Sequence, residues 1–188
     1  MCKSSSFIAT LLVAGCLCSF SSCEKRPSLV EQRKAELRRS DSLSLAEAKA
    51  DSVYADSLAT FREFELQELK QQFVFEKQEK YQTAGYYVLP SYAGSKTGFT
   101  FFPEVEESGK LLLVFIDGKR RYSFTEIDLS NEDISQQVSH PLTPRQMNDV
   151  HRCLVLAKTM QDLKDAQRSL EKAQLKIRFY EKKLSMRE

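Results

Sequence analysis

The residues that could do chemistry in this 188-residue chain are few and scattered. His151-Arg152-Cys153 sets an imidazole two positions from the one cysteine that follows residue 23. A His–Cys nucleophile or a metal site could use such a pair, but a metal needs three or four ligands and only His140 stands nearby in sequence. The expectation is a structural histidine and a buried free thiol. Ser169-Leu170-Glu171-Lys172 has the Ser-x-x-Lys spacing of some serine nucleophiles, but it carries no companion motif and lies inside a coil-like repeat. Gly94-Ser95-Lys96-Thr97 has the tail of a phosphate-binding loop without its first glycine or its strand-to-helix setting. The paired carboxylates Glu106-Glu107 and Glu132-Asp133 flank turns, where solvated charge is expected. Lys119-Arg120-Arg121 reads as a charged hairpin tip. The chain is therefore expected not to be an enzyme, with no cofactor and no metal.

The other four cysteines, Cys2, Cys16, Cys18 and Cys23, crowd the N-terminus. They do not form a disulfide framework. Residues 1–23 read as a targeting segment, with Lys3 ahead of an uncharged apolar run from Phe7 to Phe20. That run is shorter than the roughly 20 apolar residues a membrane-spanning helix needs. Its end, a small residue followed by cysteine, resembles the lipobox of bacterial lipoproteins. The resemblance implies that one cysteine receives lipid and becomes the new N-terminus, and that the chain is held at a membrane by that anchor. Cys23, in Phe20-Ser21-Ser22-Cys23, is favoured because the charged Glu24-Lys25-Arg26 begins right after it. Cys16, in Val13-Ala14-Gly15-Cys16, is the alternative and matches the usual spelling better. In such lipoproteins an aspartate after the cysteine can retain the protein in the inner membrane, and acidic clusters can direct surface export. Neither is present here, so the resemblance implies the cell envelope, with an outer-membrane anchor facing the periplasm.

The elements that must position anything functional divide by glycine content. Apart from Gly15, every glycine lies between residues 85 and 118. There the apolar residues form short runs rich in β-branched and aromatic side chains, bounded by turn formers, which read as strands. Four are expected, over residues 86–89, 99–105, 110–116 and 119–129, as an antiparallel meander. Asp117-Gly118 suits a type I′ turn. The run 111–116 lacks polar alternation and reads as a central strand buried on both faces.

On either side run long charged segments without internal glycine or proline, which read as helices. Ser28-Leu29-Val30-Glu31 fits a capping box at the first start. That helix is expected to be continuous at least from Ser44 to about Tyr81, with a weak place at residues 39–44 where Ser and Asp oxygens compete for backbone donors. A second capping box, Ser44 to Glu47, could restart it. Its apolar stripe reads as Leu43, Ala46, Ala50 and Val53, then Leu58, Phe61, Phe64, Leu69, Phe73 and Phe75. Thr143-Pro144-Arg145-Gln146 signals the second helix, with N-cap, first-turn proline and capping-box partner in place. From Leu156 onward Thr159, Leu163, Ala166, Leu170, Ala173, Ile177, Tyr180 and Leu184 alternate spacings of 3 and 4, the seam of a coiled coil. Residues 28–80 hold 9 basic and 11 acidic side chains, whereas 144–188 hold 11 and 6, so the two helices attract. The expected fold is α+β: a long antiparallel helical hairpin, coiled-coil in character, with a small four-stranded antiparallel β-meander inserted between the helices. Counted outward from the head, Phe61 falls opposite about Lys164 and Leu43 opposite about Lys182.

The expected divisions are 1–23, signal peptide; 24–60, tether and polar helical shaft; 61–163, β head with flanking helix ends; and 164–188, C-terminal coiled-coil helix. A net charge of +2 implies no nucleic acid partner. Of the 19 aromatics, 14 lie between Phe61 and Phe124, which directs attention to the head. Tyr86, Tyr87, Tyr92, Phe99 and Phe101 are the candidate partner-binding residues. Two functions fit: a non-catalytic structural or protein-interaction lipoprotein that meets another envelope protein, or a small-ligand or cell-wall-binding lipoprotein using those aromatics.

Overall fold

The computed structural model describes residues 28–77, 85–94, 100–117, 120–131 and 133–187. The fold mixes helix and sheet: a long first helix, a five-stranded antiparallel sheet and a long C-terminal helix. In chain order these are α1 (Leu29–Lys70), β1 (Val74–Glu76), β2 (Tyr86–Val88), β3 (Thr100–Glu106), β4 (Leu111–Asp117), β5 (Arg120–Ile127), the single turn α2 (Ile134–Gln137) and α3 (Pro144–Ser185). The strands follow one another across the sheet in sequence order, each antiparallel to the next.

Both long helices start where their capping boxes lie. The Ser28 hydroxyl accepts from the Glu31 backbone while the Glu31 carboxylate accepts from the Ser28 N–H, and Thr143 and Gln146 do the same for α3 behind Pro144. Helix α1 then runs unbroken through residues 39–44, so the second capping box is not used. The physical reason lies in Asp41. Its carboxylate does not compete for local backbone donors but accepts from Lys183 Nζ at 2.7 Å and pairs with Arg187, both on the C-terminal end of α3 or just past it. At its other end α1 stops at Lys70, not near Tyr81. Residues 74–76 leave as β1 and pair with β2, Val74 opposite Val88 and Glu76 opposite Tyr86. The sheet thus has five strands rather than four, because Phe73 and Phe75 belong to a turn and an edge strand and not to a helical stripe.

Alternation divides the sheet's side chains between two faces. Val105, Leu111, Leu113 and Ile127 pack toward α3, where Val150, Cys153, Leu154, Ala157 and Met160 meet them. The opposite face carries Tyr86, Val88, Phe102, Leu112, Val114 and Ile116, also buried, with Tyr92 and Ala93 against them. Residues 111–116 are buried throughout, as their unbroken apolar run implies. Gly109, at φ +86, makes the β3–β4 turn and lies against α3: an added Cβ would stand 3.4 Å from Met160 Cβ. The turn expected at Asp117-Gly118 falls partly outside the described residues.

The side of α1 that is buried is not the apolar stripe read from the sequence. Of that stripe Leu43, Ala46, Ala50, Val53, Phe61 and Phe64 are exposed, whereas Leu58 and Leu69 are half-buried. The covered positions are Asp41, Leu45, Ala48, Ser52, Ala55, Ala59, Arg62, Leu66 and Leu69, again alternating 4 and 3. Every α3 position from Leu156 to Leu184 in the heptad named above is buried or half-buried. Polar partners between the helices run in opposite directions: Gln72 with Arg152 at 3.5 Å, Arg62 with Asp162 at 3.2 Å, Lys49 with Glu181 at 3.3 Å and Asp41 with Lys183. The Arg62–Asp162 pair sits at the level where counting set Phe61 against Lys164. The facing alanines, Ala48, Ala55 and Ala59 on one side and Ala166 and Ala173 on the other, explain why the less hydrophobic side of α1 is inside. Small side chains let two backbones approach closely, and dispersion contacts then replace bulk.

Candidate functional site

The chemically suggestive residues do not converge. Cys153 is a free thiol, fully buried, and burial followed by the nearby charge of Asp149 pushes it up to about 12, so it is neither thiolate nor accessible. His151, two residues away, is exposed on the other side of α3. His140 packs edge-on against Phe115 with ring centroids 4.7 Å apart. The Ser169 hydroxyl donates back to the Asp165 carbonyl at 2.8 Å, the local bond of a helical serine. Asp133 accepts from Ser135, which holds its carboxyl below the usual range, and Glu106 accepts from the Ser108 hydroxyl at 3.1 Å. Among the described residues no three His, Cys, Asp or Glu side chains are grouped as metal ligands. Glu132, Lys119, the Ser95–Thr97 part of the loop string, and both Cys16 and Cys23 lie outside the described residues.

Of the five aromatics singled out on the head, the four described ones are divided between the two faces of the sheet, with Tyr87, Tyr92 and Phe101 packed against the core under α3 and Tyr86 on the opposite side. Phe99 lies outside the described residues. Tyr86 is buried on the face away from α3, and its hydroxyl donates to Glu76 at 2.9 Å. Tyr87 is on the other face, half-buried against Phe75 at 4.9 Å and beneath Lys70 Nζ at 5.2 Å. Phe101 is also on that face, edge-on to Phe115 at 5.8 Å. Tyr92 is half-buried where the loop meets α3. It lies 6.0 Å from Phe102 and donates to Asp149 at 3.0 Å, and burial, with that bond second, pushes its hydroxyl up to about 12. The four described side chains fill and brace the head, and Tyr92 is tied to Asp149 and Phe102 instead of standing free in its loop.

What the structure does expose is the outer side of α1. Leu43 (65%), Val53 (69%), Tyr54 (71%), Phe61 (60%) and Phe64 (65%) project into solvent from one helix. At 100° per residue they fall, with Ala46, Ala50 and Ser57, on one stripe, roughly opposite the side that faces α3. Scattered exposed apolar residues need no explanation, but a continuous stripe does. Each large side chain left wet forgoes about 1.5–3 kcal/mol of burial. Helix α1 therefore carries two heptad series, one of small residues facing α3 and one of large residues facing outward. The second series is legible in the sequence, but hydrophobicity alone ranks it first for the inside, where the structure places the first.

Charge along α1 is uneven as well. Residues 29–40 hold Arg33, Lys34, Arg38 and Arg39 against Glu31 and Glu36, whereas residues 41–70 hold seven acidic and three basic side chains. The outer stripe thus begins beside positive charge and ends beside Glu65 and Glu68.

No family model, curated protein or solved structure matches this chain.

Proposed function

We propose that this protein is a membrane-anchored, periplasm-facing lipoprotein that works as a non-catalytic structural or protein-interaction module. In this reading Cys23, or failing it Cys16, carries the lipid, and residues 24–28 lead directly into α1. Helices α1 and α3 form an antiparallel coiled-coil hairpin, and the sheet is the head inserted at its closed end. The observation that carries the reading is the outer stripe of α1, a run of exposed aromatic and aliphatic side chains on a helix whose other side is already occupied. Interfaces draw their energy from a few such residues. Tyr86, Tyr87, Tyr92 and Phe101, each at least half-buried in the head, offer less. Among the described residues no helix is long and apolar enough to cross a membrane.

Two measurements test it. Cys23→Ala should leave the precursor unprocessed or shift the protein to the soluble fraction, and a mature N-terminus acylated at Cys16 would move the anchor without changing the class. A photocrosslinking residue at position 61 should give discrete protein adducts in cells, whereas one at position 87 should not. Adducts from position 87 with none from 61 would return the interaction to the head.

A further inference from the structure

Resting on that reading of the chain as an interaction module, we propose that the outer stripe of α1 is a self-association surface, on which a second copy of the same helix lies antiparallel about a two-fold axis near Val53 and Tyr54. Three features carry this. The first is its shape. An antiparallel pairing centred there sets Leu43 against Phe64 of the second copy, Ala46 against its Phe61 and Ala50 against its Ser57. The bulky end residues then face small or flexible ones, and the midpoint pairs with itself. A parallel pairing would stack Phe61 on Phe61 and Ala50 on Ala50, leaving a gap between bulky ends.

The second feature is charge. Arg39 and Glu68 are exposed, lie on the same stripe and stand just beyond its two ends. The antiparallel arrangement places each opposite the other, twice by symmetry, whereas a parallel one places like charge on like. The third feature is that the stripe and the α3-facing seam are on opposite sides of α1, so a second copy can dock without disturbing the Asp41, Lys49 and Arg62 pairs.

The full chain, purified in detergent at micelle excess, is measured by light scattering for protein mass per particle. The mass should double with concentration between about 1 and 100 μM, the range suited to an interface at the small end of the stable size class. Phe61→Glu with Phe64→Glu should weaken the dimer by roughly a hundredfold or more, with a melting temperature unchanged when both proteins are compared at concentrations below about 1 μM, where the wild type is monomeric. Arg39→Glu and Glu68→Arg should each weaken it by about fivefold, since two exposed charge pairs are lost at once. Their combination should restore it. The two positions are 29 residues apart on one helix, about 43 Å, so rescue cannot arise within a single chain. A chain that stays monomeric across this range overturns the proposal, as does a dimer indifferent to Phe61 and Phe64, or a charge swap without rescue. So does a crosslinker at position 61 that captures only lipid or only a different protein in cells. Loss of anchoring in Cys23→Ala bears on the lipoprotein reading alone and leaves these outcomes unaffected.

Discussion

The head and the shaft are stabilised by different means. In the head Leu111, Leu113, Val150, Leu156 and Cys153 are essentially without solvent exposure, and stability comes from volume filled by branched side chains. Along the shaft the fully covered residues are Ala48, Ala55, Ala166, Ala173 and one carboxylate, Asp41, and stability comes from closeness and from polar rungs that fix register. A head residue is therefore sensitive to losing atoms and a shaft seam residue to gaining them. Hydrophobic content does not tell the two apart.

That contrast can be broken most forcefully in the head. Leu113→Ala should cost about 2–5 kcal/mol, the range for a buried leucine truncated in a core that closes only partly, read as a fall in the urea midpoint. In the shaft the sign of the size change reverses: Ala55→Leu should cost about 1–3 kcal/mol by overpacking, while Tyr54→Leu, one residue away and outward, should stay within about 0.5 kcal/mol. Equal effects at positions 54 and 55 would mean that the seam assignment is wrong. Asp41→Ala should cost about 1–2 kcal/mol, because Lys183 and Arg187 are partly exposed and can turn to water once their partner is gone. Fraying of both helix ends in hydrogen exchange would check it. Tyr92→Phe removes one bond to Asp149 and should cost about 1 kcal/mol.

Alkaline titration probes the same border between head and α3. Tyr92 and Cys153 are both raised in the fold, from ordinary values of 10.0 and 9.0 to about 12. Each is neutral in the fold while the unfolded chain ionises first, so their contribution is complete below about pH 9 and is lost as pH rises toward 12. The melting temperature should fall over that window, and Cys153→Ala should flatten its lower part.

How much of this was legible in the sequence depended on the kind of signal. Caps and turns are local chemistry, so Ser28, Thr143 and the ends of β3 and β4 lie close to where their residues imply. The α3 heptad was legible because its leucines and alanines alternate without competition. Helix α1 was not, because it holds two heptads and the choice between them is made by the alanines of its neighbour, which periodicity in one segment does not weigh. The end of α1 at Lys70 is not legible for a related reason. Phe73 and Phe75 suit a helical stripe as well as a strand, and the choice is made by Tyr86–Val88, which residues 74–76 pair with. Gly85 is a trace of that pairing: a Cβ there would lie 2.2 Å from the Phe75 ring. The same ambiguity hid the site, since an aromatic count points to the head whether its rings are exposed or engaged.

The rungs between α1 and α3 also have a mechanical meaning. Helix α1 is 42 residues long, about 63 Å, and leads without a long linker into the edge strand of the sheet. A pull on Ser28 resisted at the sheet acts along the helix axis and tries to slide α1 past α3. In that direction the Arg62–Asp162, Lys49–Glu181 and Asp41–Lys183 pairs are strained together and share the force. A sideways pull on the C-terminal end of α3 meets Asp41 first and would open the pairs one after another. The molecule is thus strong under tension from its N-terminus and weak to peeling from its C-terminus, with Asp41 as the stitch that must fail first.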